Sequence, residues 1–302
     1  MLSIYLPIAG LSVSLPLLVG LGAGVGLLSG LFGVGGGFLL TPLLILLGVP
    51  APIAAASGAN QLIGSSVSGV LFHWRRRNVD VRMGLVLLAG GLAGSVGGVF
   101  LSGWLKRLGQ IDLVIAVAFA GFLGIVGLLM LGESVTTLIR ARRGGLIRGK
   151  LHPHGWTHGL PLKMRFRRSR LYISVIPPIL IGAMVGVMVA VMGVGGGFVM
   201  VPAMVYLLDM PTALVVGTSL FQIIFLTAAT TFLQAVANQS VDAVLALILL
   251  AGGVIGSQLG VRLSTRLKGE QLRIILALIV LGVGVKLALD LVRTPADLYS
   301  LS

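Results

Sequence analysis

The sequence has 302 residues, of which 57% are hydrophobic and only 10% charged, with a net charge of +14. Roughly a quarter of the residues of a soluble domain are charged, so this composition and a mean hydropathy of +1.09 exclude an ordinary soluble protein. They predict an all-α polytopic membrane protein, and the absence of cysteine excludes disulfides, thiolate metal sites and cysteine nucleophiles.

Ten apolar segments follow one another along the chain. No basic residue precedes the first of them, so we expect no cleaved signal peptide. They run roughly over residues 15–32, 38–47, 53–72, 83–102, 111–131, 171–192, 198–208, 214–236, 243–263 and 272–291. The second and seventh follow glycine runs and are too short to cross about 30 Å of hydrocarbon alone. We therefore expect about eight full transmembrane helices and two half-helices.

Internal repetition is the strongest pattern in the sequence. The hexapeptide GVGGGF occurs at residues 33–38 and 193–198, Gln61 matches Gln222, and AGGLAGSVGG at 89–98 matches AGGVIGSQLG at 251–260. These matches predict two five-segment repeats, 1–139 and 171–302, joined by a basic linker at 140–170. Because five is odd, the second repeat is expected to be inverted in the membrane.

The basic residues favour one side of such a bundle. The loops at 73–82, 132–171 and 262–273 hold 18 of the 22 Lys and Arg residues. The positive-inside rule then predicts that these loops are cytoplasmic, that both termini lie outside, and that the protein resides in the bacterial inner (plasma) membrane. Contact with anionic membrane lipids is expected, and the charge needs no nucleic-acid partner.

The glycine runs suggest an anion site. They do not fit the G-x-G-x-x-G nucleotide motif, because Phe38 stands where its third glycine belongs. Glycines can instead interrupt a membrane helix, so that the next helix starts with free N–H groups and the positive end of its dipole at the break. The candidate residues are Gly33, Gly35, Gly36, Gly37 and Phe38 in the first repeat, and Gly193, Gly195, Gly196, Gly197 and Phe198 in the second. The alternative is that the glycines only allow close helix packing or a tight turn.

A polar stripe adds side-chain candidates. Ser57, Asn60 and Gln61 share one face of the third segment, and the matching segment carries Thr218, Ser219 and Gln222. Their hydroxyls and amides are suitable donors to an anion, while the alternative is hydrogen bonding between helices. The glycines repeating every four residues in the two AGG segments indicate close helix packing, either within the chain or in a homodimer.

The ionisable residues give little support for other chemistry. Asp80 and Asp242 each precede a segment, so helix capping is expected, and with His73 they are the candidates for ion coupling. His152, His154 and His158 lie in the basic linker, where a solvated loop is favoured over a metal site. We expect no catalytic residues, no cofactor and no metal.

The repeated GVGGGF with its following proline, the stretches ASGANQ and VGTSLFQ, and the AGG segments resemble the sulfite exporter TauE/SafE family of membrane transporters. The resemblance implies transport of sulfite, sulfoacetate or other organosulfonates, with export expected. The residues alone imply only a small anion. Open alternatives are a passive anion channel, an uptake transporter for thiosulfate, sulfate or a carboxylate, and a membrane scaffold or sensor acting through the linker.

Overall fold

The structure, a computed structural model, describes residues 3–32, 35–142, 161–264 and 269–292. Within these ranges each half of the chain forms a β-hairpin followed by five helices. The first half comprises β1 (Ser3–Leu6), β2 (Leu11–Ser14), α1 (Leu15–Phe32), α2 (Gly37–Leu46), α3 (Ala51–Arg75), α4 (Val81–Arg107) and α5 (Ile111–Arg142). The second comprises β3 (Lys163–Phe166), β4 (Leu171–Ser174), α6 (Ile176–Met192), α7 (Gly197–Tyr206), α8 (Thr212–Asn238), α9 (Ala243–Ser264) and α10 (Gly269–Val292).

The helices confirm the expected all-α polytopic membrane fold. Among the described residues, four helices are long and apolar enough to cross a membrane: α4, residues 111–128 of α5, α8 and α9. The helices α2 and α7 have 10 residues each, the length of half-helices. The helices α1 and α6 have 18 and 17 residues, short of the roughly 20 that span a bilayer. Among the described residues four helices thus meet both the length and the composition required of a span, and the number of about eight full spans stays a prediction.

The two β-hairpins are absent from the sequence prediction. In each, two four-residue strands pair in antiparallel register, Ser3 with Ser14 and Lys163 with Ser174. The apolar segment predicted at 171–192 is consequently divided, since β4 ends at Ser174 and α6 begins at Ile176. The helix starts there because Pro177 and Pro178 occupy its first turn, where the missing proline N–H leaves no bond unmade.

Helices from the two halves pack in pairs. Helix α1 packs along α9, α4 along α6, α3 against α8, and α5 against α10. In the first two pairs the two helices run in the same direction, and their close approach depends on glycine. A Cβ added at Gly26 would overlap the backbone of Gly253, and one at Gly94 would overlap the carbonyl of Ala183. The AGG glycines thus make contacts within the chain. Each pair combines one helix from each half of the chain, and the two inverted repeats themselves stay a prediction.

Two faces of the bundle can be defined from its hydrogen bonds. On the first, which we call the linker face, the β3–β4 hairpin and the start of α8 meet the start of α4. The Ser169 N–H of the hairpin donates to Asp80 Oδ2 at 3.0 Å, and the Asp80 N–H donates to Thr218 Oγ1 of α8 at 3.0 Å. On the opposite, terminal face, the β1–β2 hairpin meets the start of α9 through Ile8 N–H and Asp242 Oδ2 at 2.9 Å. The end of α4 also lies there, since Lys106 Nζ donates to the Asn238 carbonyl at 2.9 Å.

Candidate functional site

The two half-helices begin beside each other inside the bundle. The rings of Phe38 and Phe198, the second residues of α2 and α7, have centroids 4.4 Å apart. Both side chains are buried. A Cβ added at Gly37 would lie 3.0 Å from the carbonyl oxygens of Gly193 and Val194, so the two glycine runs are in contact. From this centre α2 runs towards the terminal face and α7 towards the linker face.

The glycines are required by both conformation and space. Gly35, Gly193, Gly195 and Gly196 have φ between +68° and +76°, the left-handed region that other L-residues enter at a cost. Space is equally limited, because a Cβ at Gly36 would overlap Val25 and one at Gly195 would overlap Leu62. Gly33 lies outside the described residues. These glycine positions therefore do not accommodate a side chain, and the polar groups that they contribute are backbone ones.

The electrostatics of the break come from the helix ends. The first N–H groups of any α-helix have no partner within that helix, and its N-terminus carries about half a positive charge. Here two such ends, at Gly37 and Gly197, lie close together in a region of low solvent exposure. Burial weakens solvent screening, so the positive ends of both helices contribute to the field at this place. The Gly193 and Val194 carbonyl oxygens also border Gly37, and the Gly197 N–H donates to the Gly195 carbonyl at 2.9 Å.

The two glutamines do not line the glycine contact. The side chains that face Gly35 are Leu62 and Ile223, at 3.6 and 3.7 Å from the position of an added Cβ. Gln61 points instead to the α1–α9 contact, where its Nε2 donates to the Gly22 carbonyl at 2.9 Å. Gln222 lies against Gly91 of α4, whose added Cβ would be 3.0 Å from its Nε2. Each glutamine directly precedes the residue that faces Gly35, Leu62 or Ile223, and so its side chain points to a different side of the helix.

Gln222 is nevertheless unusual in its bonding. It is fully buried, and neither its Nε2 nor its Oε1 has a hydrogen-bond partner among the described residues. Gln61 Oε1 and Asn60 Nδ2 are also buried without partners there. Native structures pair nearly all such groups, so these amide atoms keep hydrogen-bonding capacity that the described residues do not use.

The predicted hydroxyls already have bonds within the chain. Ser57 Oγ accepts the backbone N–H of Asp242 at 2.8 Å, and Thr218 Oγ1 accepts that of Asp80 at 3.0 Å. Ser219 Oγ donates to the Val216 carbonyl at 2.9 Å within its own helix. These three residues therefore join or stabilise helices in this structure.

Asp80 and Asp242 cap their helices and hold the hairpins. Asp80 Oδ1 accepts the Met83 N–H at 3.3 Å, and Asp242 Oδ1 accepts those of Val244 and Leu245 at 3.1 Å. The second oxygen of Asp80 accepts from Ser169 at the tip of the β3–β4 hairpin, through both its N–H and its hydroxyl. The capping predicted from the sequence is present, and the hairpin bonds are an additional role.

His73 lies at the end of α3, and its carbonyl accepts the Asn78 N–H at 2.9 Å. It lines a cavity of about 220 Å³ on the linker face, together with Ser29 and Ser65. Its Nδ1 is buried without a partner among the described residues. No group of three or more metal-binding side chains occurs in the described part of the chain, and the three linker histidines lie outside it.

Some relevant residues have no place in the sequence-based site. Gly91 and Gly253 provide the space that the side chains of Gln222 and Gln61 occupy. Each is the second glycine of an AGG segment, and this was the only feature of the sequence that pointed to them. Thr41 is a fully buried residue of α2 whose hydroxyl has no partner among the described residues. A single polar residue in an apolar half-helix was its only signal.

Comparison with known proteins gives consistent results. A family model described as "Sulfite exporter TauE/SafE" matches residues 18–287. The "Probable membrane transporter protein YjnA" of Bacillus subtilis is 31% identical over 280 residues, which cover 92% of this chain and 100% of the relative. A "Probable membrane transporter protein" of Xylella fastidiosa is also 31% identical over 280 residues, covering 90% of this chain and 94% of its own. No solved structure matches the chain significantly.

Proposed function

The chain belongs to the sulfite exporter TauE/SafE family of membrane transporters, and on that premise we propose that it moves small sulfur-containing oxyanions, such as sulfite, sulfoacetate or other organosulfonates, by alternating access. The observation that carries the proposal is the contact between the first turns of α2 and α7 at Phe38 and Phe198. Two positive helix ends directed at one buried point suit an anion at the centre of the bundle.

The magnitude of the charge fits this substrate class. Each helix N-terminus contributes about half a positive charge, so two together balance roughly one negative charge without a lysine or arginine. A site balanced in this way binds an anion and can also release it, since no fixed full charge holds it. Release is a requirement for a transporter, as it is for a channel.

Selectivity is assigned to side chains near the break. Gln222 offers a buried, unpaired amide, and Asn60 and Gln61 each retain one unpaired buried atom. These groups can donate to or accept from the sulfo oxygens of a substrate. Leu62 and Ile223 at the break are apolar, and they suit the carbon part of an organosulfonate.

The orientation follows from charge. The described part of the linker face carries Arg75, Arg76 and Arg77 at the end of α3 and five basic residues of the β3–β4 hairpin and its turn, from Lys163 to Arg170. We assign this face to the cytoplasm of the bacterial inner membrane. Export as the direction of transport is proposed from the family description alone. The hairpin also forms a groove lined by Arg165, Arg167 and Arg170, suited to anionic lipid headgroups.

The test is transport by the purified protein in liposomes. A competition panel of sulfite, sulfoacetate, taurine, thiosulfate, sulfate and lactate, with and without a pH gradient, measures substrate class and proton coupling together. We expect the sulfur oxyanions to compete and lactate not to. Equal competition by lactate, or no uptake of any sulfur anion above empty liposomes, would contradict the proposal.

A passive anion channel is the alternative that the same geometry permits. Counterflow separates the two, because trans substrate accelerates uptake through a transporter and has no such effect on a channel. We expect internal sulfoacetate to accelerate the uptake of external sulfoacetate.

A further inference from the structure

The linker-face cavity has a counterpart on the opposite face. The first has a volume of about 220 Å³ and the second only about 10 Å³. Four residues of each occupy matching positions of the predicted repeats. Gly30 with Ala190 and Leu31 with Val191 are 160 positions apart, the separation of the two glycine runs, and His73 with Gln234 and Ala55 with Val216 are 161 apart, the separation of the two glutamines. The same positions thus surround an open space on one face and a closed one on the other.

The difference in size decides what can enter. About 10–15 Å³ is the least that holds one water molecule, so the terminal-face space admits at most one water. The linker-face space is large enough for a small oxyanion and some of its hydration water. Its polar groups are two serine side chains, Ser29 and Ser65, and the imidazole of His73.

A hydrogen-bond network closes the terminal face. Gln234 Nε2 donates to the Ala190 carbonyl at 2.7 Å and to Ser102 Oγ at 3.3 Å. Asn238 Nδ2 donates to Gln234 Oε1 at 2.6 Å and to the Val99 carbonyl at 3.2 Å. These bonds connect α8 to both α4 and α6. For the terminal-face space to open, α4 and α6 would have to separate from α8.

On the linker face the corresponding network is missing. His73 takes the place of Gln234, and its Nδ1 has no partner among the described residues. The position matching Asn238 is Arg77, an exposed residue beyond the end of α3. No bond equivalent to that between Asn238 and Gln234 occurs here in the described part of the chain, so this space stays open.

We propose that the structure is the state open to the linker face, in which the cavity of Ser29, Ser65 and His73 receives a small oxyanion while Gln234 and Asn238 form the closed gate on the terminal face. The inference rests on the proposed transport function, and it adds the access site, the gate residues and the face that is open. It concerns residues that the glycine motif does not contain.

Cysteine accessibility tests the proposal directly, since the chain has no cysteine of its own. Ser29→Cys and Ala190→Cys are a pair of buried positions, one lining the linker-face space and the other the terminal-face space. Each is treated with a membrane-impermeant methanethiosulfonate reagent in right-side-out and in inverted membrane vesicles. We expect Ser29→Cys to react from the linker face and Ala190→Cys to resist from both sides.

Opening the gate should then expose Ala190→Cys. Adding Gln234→Ala removes three hydrogen bonds, and we expect the reaction from the terminal face to accelerate about tenfold or more. Gln110→Ala, at an exposed residue of the same face, is the control and should leave the rate unchanged. Gln234→Asn replaces Gln234→Ala if the alanine variant fails to give a monodisperse protein.

Anion binding in the cavity is read from protection. Sulfoacetate is used because sulfite consumes the thiosulfonate reagent. We expect sulfoacetate to slow the reaction of Ser29→Cys and to leave a cysteine at exposed Ser12 unaffected. Equal slowing of both, or of neither, would overturn the binding site.

The gate and the transport function can fail separately. Reaction of Ala190→Cys as fast as that of Ser29→Cys, or no acceleration by either Gln234 variant, overturns the gate even if sulfur oxyanions are transported. The expected accessibility pattern in a protein that moves no sulfur oxyanion leaves the gate in place and removes the proposed substrate class.

Discussion

At the scale of single residues, Gln61 and Gln222 occupy matching positions in the sequence but differ in their bonds. Gln61 donates to the Gly22 carbonyl, whereas both amide atoms of Gln222 lack partners among the described residues. A buried polar group without a partner costs about 1–3 kcal/mol of stability. This difference is the reason that we propose Gln222, rather than Gln61, as the amide that contacts the substrate.

The substitution Gln222→Met, which is close in volume, separates binding from stability. Removing an unpaired amide should stabilise the fold by on the order of 1 kcal/mol, while loss of a bond to an anion should weaken sulfoacetate binding about tenfold or more. Thermal unfolding in detergent and concentration-dependent uptake measure the two effects. Gln61→Met is the control, since it breaks an existing bond and should lower the unfolding temperature. A stable Gln222→Met protein with normal uptake would remove Gln222 from the site.

At the scale of elements, glycine contacts set how closely the helices of the two halves approach. Gly90, Gly94 and Gly98 of α4 all face α6, and an added Cβ at any of them would overlap backbone or side-chain atoms there. Backbone atoms cannot rotate away as a side chain can, so these positions tolerate no methyl group without separating the helices.

Two glycines of α4 provide a matched pair for this contact. Gly94→Ala should destabilise the protein by about 1–3 kcal/mol, because the new methyl group overlaps the Ala183 carbonyl. Gly97→Ala meets nothing within 4 Å and should be neutral or slightly stabilising, since alanine favours a helix by up to about 1 kcal/mol. Unfolding temperatures measured in one detergent make the comparison. Equal temperatures for the two variants would show that the α4–α6 contact is not limited by glycine.

The sequence predicts these elements unevenly, for physical reasons. The two half-helices follow from glycine runs beside short apolar segments, and the AGG contacts follow from the spacing of small residues. The hairpins do not, because SIYL and LSVS read as apolar chain beside a helix, and KMRF lies in a basic stretch. Hairpin strands of four residues show too few alternations to be distinguished from a helix start. Only Pro177 and Pro178 signalled that a helix begins near Ile176.

The candidate site, too, could be predicted from the sequence only in part. That the two glycine runs come together depends on long-range packing, and their repetition made it predictable. The direction of Gln61 and Gln222 depends on helix rotation, which a polar stripe fixes only to within about one residue, or 100°. The bonding of Ser57 and Thr218 to the aspartate N–H groups joins different halves of the chain, and nothing local indicates it.

At the scale of the whole molecule, each half contributes one half-helix to the centre and one member to every major helix pair. The glycine stripes are engaged within the chain, so they supply no separate argument for a homodimer, which stays a prediction. The central claim is that an anion binds where α2 and α7 begin, between the two halves that would move during transport.

The most direct measurement is a crystal structure with bromoethanesulfonate, a substrate analogue whose bromine gives an anomalous signal, after competition with sulfoacetate transport has been established. We expect an anomalous peak beside the first turns of α2 and α7, near Phe38 and Phe198, with the sulfo group facing their N–H groups. A peak found only elsewhere, at concentrations that block transport, would contradict it.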